Sequence, residues 1–297
     1  MSKGILVPCI TILHEDGSID YENMVGHTEN LIRAGVDGIL LFGSTGEFYV
    51  LSLAEKKELV KRLTKVAAKR TQIIVGINSC DPQEAIDFGQ YCKTVGVDAV
   101  MVISPYYFPP SDLGVEAFFG TIAENLDMPI FFYNFPDRTG NSLNPDTLLK
   151  LVRKYPNFVG VKDTVDTISH TRQLIQKIKA IKPSFLVYSG FDEYYCSNRL
   201  AGGDGIIGAI SNFDPQLMVH LHQAYEANDF VTVKKCSPKV AILMQLYAVT
   251  PLFIPAIKAA VKAKGLAISC YTKAPATPLS EAEYNQVLDI LQRADKA

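Results

Sequence analysis

The chain has 297 residues, 48% of them hydrophobic and 20% charged, with a formal net charge of −2 at pH 7. That length suits one large α/β barrel or two ordinary domains, and the apolar content supports a sizeable core rather than a disordered chain. Near-neutral charge without a basic run removes any electrostatic case for nucleic acid, and no apolar run approaches the ~18 residues of a bilayer span.

Six scattered cysteines (Cys9, Cys80, Cys92, Cys196, Cys236, Cys270) form no C-x-x-C and read as free thiols of a reducing compartment, so a cytoplasmic location is expected. Residues 5–13 are apolar like a signal segment, but His14-Glu15-Asp16-Gly17 follows instead of a small-residue cleavage site. A buried first strand over 5–12 is the better reading.

Strands and helices then alternate. Asp20 caps a predicted helix over 21–34 that stops at Gly35, and a second strand covers 38–43. Ser52 and Glu55 make a capping box for a helix over 53–69. Further strands are predicted at 72–76, 99–104, 129–133, 158–162, 185–188 and 205–210. The helices between them cover 82 onward, 112–126, 145–154, 166–180 and 192–201. Three similar stretches, Ala34–Gly38, Val95–Ala99 and Ala201–Gly205, each read as a helix-ending glycine, a turn and a strand, so one βα unit is reused. Eight such units predict a closed (β/α)8 TIM barrel. The alternative, an open doubly wound sheet, is weakened because no G-x-G-x-x-G follows the first strand. Helical segments near 215–227, 229–248, 250–265 and 280–295 follow with no strand between. The expected organisation is a catalytic barrel over 1–228 and a C-terminal helical layer over 229–297. Pro251, Pro255, Pro275 and Pro278 predict kinks and an irregular crossing near 271–279.

The candidate chemistry lies at strand ends. Val159 and Val161 suit a strand buried on both faces, and it runs straight into Lys162. The C-terminal strand end is where parallel α/β proteins do chemistry. An amine partly withdrawn from water there is freed as a nucleophile and condenses with ketones to a Schiff base. A lysine that merely reaches water is the plainer alternative. Gly43-Ser44-Thr45-Gly46-Glu47 can turn backbone N–H groups and hydroxyls toward a carboxylate, though Gly-Ser-Thr-Gly also makes an ordinary turn. Tyr106 and Tyr107 follow the fourth strand; a phenol there can pack or relay protons. Tyr133 ends the fifth strand, one unit before Lys162. Arg138 can grip a carboxylate or pair with Asp137. Gly190, Asp192 and Glu193 follow the seventh strand; the acids can accept substrate hydroxyl hydrogens or simply favour a helix start. His14, His27, His170, His220 and His222 form no cluster with facing acids beyond a helical His220-x-His222, so no metal site is expected.

Gly43-Ser44-Thr45-Gly46-Glu47, Pro105-Tyr106-Tyr107, Tyr133-Asn134-x-Pro-x-x-Thr-Gly140, Gly160-Val161-Lys162-Asp163 and Ser189-Gly190-Phe191-Asp192-Glu193 occur in order. From about residue 5 to 290 the chain resembles the dihydrodipicolinate synthase / N-acetylneuraminate lyase family of pyruvate-dependent class I aldolases. The resemblance implies a Schiff base between Lys162 and pyruvate, without metal or organic cofactor. Tyr133 would shuttle protons. Ser44 and Tyr107 would complete the relay, with Tyr107 from a neighbouring subunit of a homotetramer. Ser44 and Thr45 would hold the pyruvate carboxylate, and the Ile207 carbonyl would face the site.

The motifs divide over the second substrate. Arg138 resembles the synthase residue that binds the carboxylate of aspartate semialdehyde. Ser44, where synthases more usually carry threonine, points the other way. Asp192-Glu193 resembles the hydroxyl-binding acids of sialic acid lyases, yet Ala209 stands where those tend to carry serine. Tyr133-Asn134-Phe135-Pro136 and Lys162-Asp163-Thr164-Val165-Asp166 resemble the 2-keto-3-deoxy sugar acid aldolases, the expected class. The synthase is the alternative, and a sialic acid lyase or a non-catalytic member stands behind both.

Overall fold

The computed structural model describes residues 2–297. Its strands are β1 (Gly4–Pro8), β2 (Gly38–Leu41), β3 (Gln72–Gly76), β4 (Ala99–Ile103), β5 (Ile130–Asn134), β6 (Phe158–Asp163), β7 (Leu186–Ser189) and β8 (Gly205–Ile207). They close into a barrel in sequence order. Between them run α1 (Tyr21–Ala34), α2 (Leu53–Ala67), α3 (Pro82–Thr94), α4 (Asp112–Asn125), α5 (Pro136–Thr139), α6 (Pro145–Lys154), α7 (Ile168–Lys179) and α8 (Tyr195–Leu200). After β8 come α9 (Pro215–Glu226), α10 (Phe230–Leu243), α11 (Ile254–Ala263) and α12 (Glu281–Lys296).

Local chemistry sets these bounds. The Asp20 side chain accepts from the Asn23 N–H and starts α1, and Gly35, at φ +86°, ends it. Ser52 and Glu55 form the reciprocal capping box of α2. Asn144 caps α6, with Pro145 in its first turn.

Several expected elements are shorter than predicted because backbone groups find other partners. β1 stops at Pro8, since the Ile10 N–H donates to Asn212 Oδ1 and leaves the ladder. β8 has three residues, and Ala209–Asn212 fold into a 3-10 turn tied by Asn212 Nδ2 to the Ala209 and Pro8 carbonyls. The expected helix over 192–201 opens as a 3-10 turn at Asp192–Tyr194 before α8. The expected 229–248 helix tightens to 3-10 at Met244–Ala248. The short α5 was not predicted at all.

The chain falls into two compact units: the residues up to Lys3 with Gln72–Ile207, and Gly4–Thr71 with Gly208–Ala297. In the first, Phe132 stacks on Phe158 at 4.1 Å between ring centroids, with Phe119 edge-on to both. In the second, α12 buries Val287, Ile290, Leu291 and Ala294, at helical spacing. His27 is buried there against Asn212 Oδ1, and burial pushes it down to about 4, so its ring is neutral.

One position of the first unit is closely constrained. A Cβ on Gly160 would lie 2.2 Å from Phe131 Cε1 and 2.8 Å from the Leu186 carbonyl oxygen. Gly160→Ala must therefore push a core ring and a neighbouring strand, and should cost about 1–3 kcal/mol. Urea unfolding checks this; an unchanged midpoint at unchanged slope would contradict it.

Candidate active site

β5 and β6 run parallel with Tyr133 opposite Lys162 and Asn134 opposite Asp163. Because side chains alternate along a strand, this register sends Tyr133 and Lys162 to one face and Asn134 and Asp163 to the other.

On the first face, Lys162 is 4% exposed and Tyr133 1%. Lys162 Nζ lies 3.4 Å from the Tyr133 hydroxyl and 4.5 Å from the centre of its ring. Among the described residues no carboxylate pairs with this amine. The chain's other buried lysine behaves differently: Lys258, fully buried, is paired with Glu47. Withdrawing an ammonium from water without a counter-ion is costly, so stability alone gives no reason for an unpaired lysine at this strand end.

The segment beyond β5 carries Arg138. Its guanidinium carbon sits 5.8 Å over the Phe135 ring, whose centre is 5.9 Å from that of Tyr133. Arg138 is exposed, and among the described residues no carboxylate pairs with it; the ion pair with Asp137 does not form.

The remaining residues after β4, β7 and β8 separate by exposure. Tyr107 is 86% exposed at φ +78°, a conformation a bulky side chain rarely adopts. Its ring meets Phe108 edge-on at 4.7 Å. Asp192 is fully buried while Glu193 is exposed, so the structure divides the acid pair. Gly190 packs against Thr164: a Cβ there would be 1.9 Å from Thr164 Oγ1. Ile207, the last residue of β8, is buried.

Ser44 and Thr45 belong to the other unit, in a 3-10 turn after β2. Internal hydrogen bonds use the Gly46 and Glu47 N–H groups, and Thr11 Oγ1 donates to the Gly46 carbonyl at 2.8 Å. Phe42 and Glu47 bracket the turn, both in the left-handed region, at φ +57° and +54°. Glu47 closes it through a buried ion pair with Lys258, whose Nζ also donates to the Tyr271 carbonyl at 2.7 Å. Burial raises Glu47 above the usual carboxylate range and lowers Lys258 below the usual amine range; their mutual attraction opposes both shifts.

The second face of β5 and β6 holds a histidine–acid pair. His170 does face an acid: its Nδ1 lies 3.0 Å from both Asp163 carboxylate oxygens. The spacing Asp163-x6-His170 crosses a strand end and a helix start, so no helical or strand period signals it. Among the described residues no group of three or more His, Cys, Asp or Glu side chains is arranged to hold a metal ion, and no helix is long and apolar enough to cross a membrane.

This constellation of a buried lysine and tyrosine on adjacent parallel strands agrees with comparison to known proteins. The model of the dihydrodipicolinate synthetase family matches residues 1–294. The chain belongs to the dihydrodipicolinate synthetase family. Within it, the chain is 32% identical over 285 residues to "Probable 2-dehydro-3-deoxy-D-pentonate aldolase YjhH" of Escherichia coli K12, covering 96% of this chain and 95% of that protein. It is 32% identical over 290 residues to "Putative 2-dehydro-3-deoxy-D-gluconate aldolase YagE" of the same organism, covering 98% and 96%. The crystal structure of YagE in complex with pyruvate superposes with a TM-score of 0.96 over 99% of each chain. The chloride-inhibited dihydrodipicolinate synthase of Acinetobacter baumannii, complexed with pyruvate, is 32% identical with a TM-score of 0.92, again over 99% of each chain.

Proposed function

We propose that this family member is a pyruvate-dependent aldolase that reversibly cleaves a 2-keto-3-deoxy sugar acid to pyruvate and an aldehyde through an imine at Lys162. One observation carries the reading: a buried, unpaired amine beside a tyrosine hydroxyl, at a strand end of this family's barrel. The names of YjhH and YagE support the substrate class.

The chemistry runs as follows. The Lys162 amine adds to the C2 ketone and the Tyr133 phenol supplies the proton with which water leaves, giving a protonated imine beside a phenolate. The C3–C4 bond breaks, its electrons enter the iminium, and the C4 hydroxyl proton passes to Tyr133 as the aldehyde departs. Protonation of the resulting enamine at C3, then hydrolysis, releases pyruvate and restores the amine. The iminium is the electron sink, so the route calls for no metal or organic cofactor. Ser44 and Tyr107 extend the proton relay, and Ser44 and Thr45 bind the pyruvate carboxylate. Gly190, Asp192, Glu193 and the Ile207 carbonyl line the substrate. The exposed Tyr107 suits a residue delivered to a neighbouring subunit of a homotetramer. Six free cysteines suit a cytoplasmic enzyme. Borohydride reduction with pyruvate, followed by peptide mass spectrometry, tests the imine. A reduced pyruvyl group on Lys162 is expected, and an adduct confined to another lysine overturns it.

Arg138 favours a second reading, condensation of pyruvate with aspartate semialdehyde, because its exposed guanidinium has no carboxylate partner among the described residues. The two readings separate by kinetics. For a sugar acid, Arg138→Ala should change kcat/KM by no more than about threefold, because a neutral polyol aldehyde offers no charge to grip. For aspartate semialdehyde, the same change should lower kcat/KM by roughly two to three orders of magnitude. A wild-type enzyme efficient with aspartate semialdehyde and inert toward 2-keto-3-deoxy acids would replace the first reading with the second.

A further inference from the structure

Directly behind Lys162 and Tyr133 lies a buried polar network. Asp163 is 1% exposed and Asn134 0%. Asn134 Nδ2 donates to Asp163 Oδ1 at 2.8 Å, and Thr171 Oγ1 donates to Asp163 Oδ2 at 2.7 Å. His170 Nδ1 contacts both carboxylate oxygens at 3.0 Å, while its Nε2 lies 3.0 Å from the Leu143 carbonyl. The Leu143 N–H in turn donates to Asn134 Oδ1 at 2.9 Å. The ring therefore links β6 to the segment before α6, and Asn134 returns that segment to β5.

Both ring nitrogens face oxygens placed to accept a hydrogen bond. A neutral imidazole has one N–H and can satisfy only one of them; an imidazolium satisfies both. Asp163 and Asn134 are the sequence neighbours of Lys162 and Tyr133. Whatever fixes the first pair fixes the strand ends that hold the second.

We propose that His170, as an imidazolium bridging Asp163 to the Leu143 carbonyl, is a positioning residue that holds Lys162 and Tyr133 in their working register. The electrostatics agree. Burial opposes the charge, but the hydrogen bond and field of Asp163, with the Leu143 carbonyl, outweigh it and lift His170 above the usual histidine range. Among the groups facing the ring, Asp163 on β6 is the titratable one. β5 presents the neutral Asn134, α7 presents Thr171, and the segment before α6 presents a carbonyl. The nearest α6–α7 ion pair, Asp146–Lys177, lies two turns further along α7. The sign is fixed by the direction of the shift. A histidine raised in the folded state contributes fully below its unfolded pKa of about 6.5, and the contribution is lost as pH rises through the higher folded value.

This inference rests on the imine reading for its kinetic arm and stands apart from it in its spectroscopic arm. Side-chain ¹⁵N NMR of the full-length protein reads the ring directly. Both nitrogens protonated at pH 7 are expected, and a neutral ring at pH 7 overturns the proposal. In kinetics, His170→Gln is expected to keep KM for substrate within about twofold, lower kcat about tenfold, and remove the alkaline step in log kcat that the wild type shows as His170 deprotonates. A variant that loses thermal stability but keeps the wild-type pH profile would mark His170 as structural only and overturn positioning. Thr171→Val, which leaves the histidine bridge intact, controls for general loosening and should keep the wild-type alkaline step; its loss there would also overturn the assignment to His170. Failure of wild-type protein to form a borohydride-trapped pyruvate adduct would instead refute the imine reading, and leaves the NMR result to decide the charge of His170.

Discussion

Lys162→Met is expected to abolish the pyruvate adduct and lower kcat by on the order of 10⁴-fold or more. Removing the nucleophile of a covalent mechanism removes the whole route, and the positioning groups that remain cannot replace it. The same substitution should leave the fold intact or strengthen it. Methionine matches the length of the lysine stem, and the amine it replaces is 4% exposed with a tyrosine hydroxyl as its polar partner. The paired result, a dead enzyme that unfolds no earlier than the wild type, separates a reacting residue from a stabilising one. Residual turnover within tenfold of wild type would sink the assignment, and so would a large loss of stability.

The largest stability effect is expected at the other buried lysine. Lys258 and Glu47 are both fully buried, and their ion pair joins the turn carrying Ser44 and Thr45 to α11 and, through the Tyr271 carbonyl, to the segment after it. Lys258→Met would strip a buried carboxylate of its ion-pair partner, which should cost about 3–5 kcal/mol. That is a large fraction of the 5–15 kcal/mol typical of a folded domain. Glu47→Leu combined with Lys258→Met should recover most of the loss, since replacing both charges by apolar groups of similar volume is often close to neutral. Chemical denaturation of the two single variants and the double variant measures the coupling. A Lys258→Met protein within 1 kcal/mol of wild type, a margin well under the expected loss, would show that the pair does not hold the turn.

These two lysines also mark what the sequence could and could not reveal. Lys162 was legible because an apolar strand runs into it and polar residues follow. Lys258 was not, because Ile-Pro-Ala-Ile-Lys-Ala-Ala reads as a helix whose lysine reaches water. Its partner is 211 positions away, and no local period connects them. The barrel itself was legible from the repeated glycine-turn-strand unit and from caps such as Asp20 and the Ser52–Glu55 box, which act over three residues. The short β1 and β8 were not. β1 ends where the Asn212 side chain, more than 200 positions distant, takes up the Ile10 N–H and the Pro8 carbonyl, and β8 where the same side chain ties the following 3-10 turn through the Ala209 carbonyl. Asp192 and Glu193 look equivalent in sequence, and only the 3-10 turn that starts at Asp192 decides which of them is buried.

The division of labour between strand ends and the segments beyond them has an evolutionary consequence. Lys162 and Tyr133 are locked into the strand register, whereas Arg138 sits on a four-residue helix beyond β5. On the proposed reading, substitutions at Arg138 can change which aldehyde is accepted without altering the Lys162–Tyr133 register. Such a scaffold can acquire a new substrate before it loses the old one, because no intermediate along the path has to rebuild the amine's surroundings.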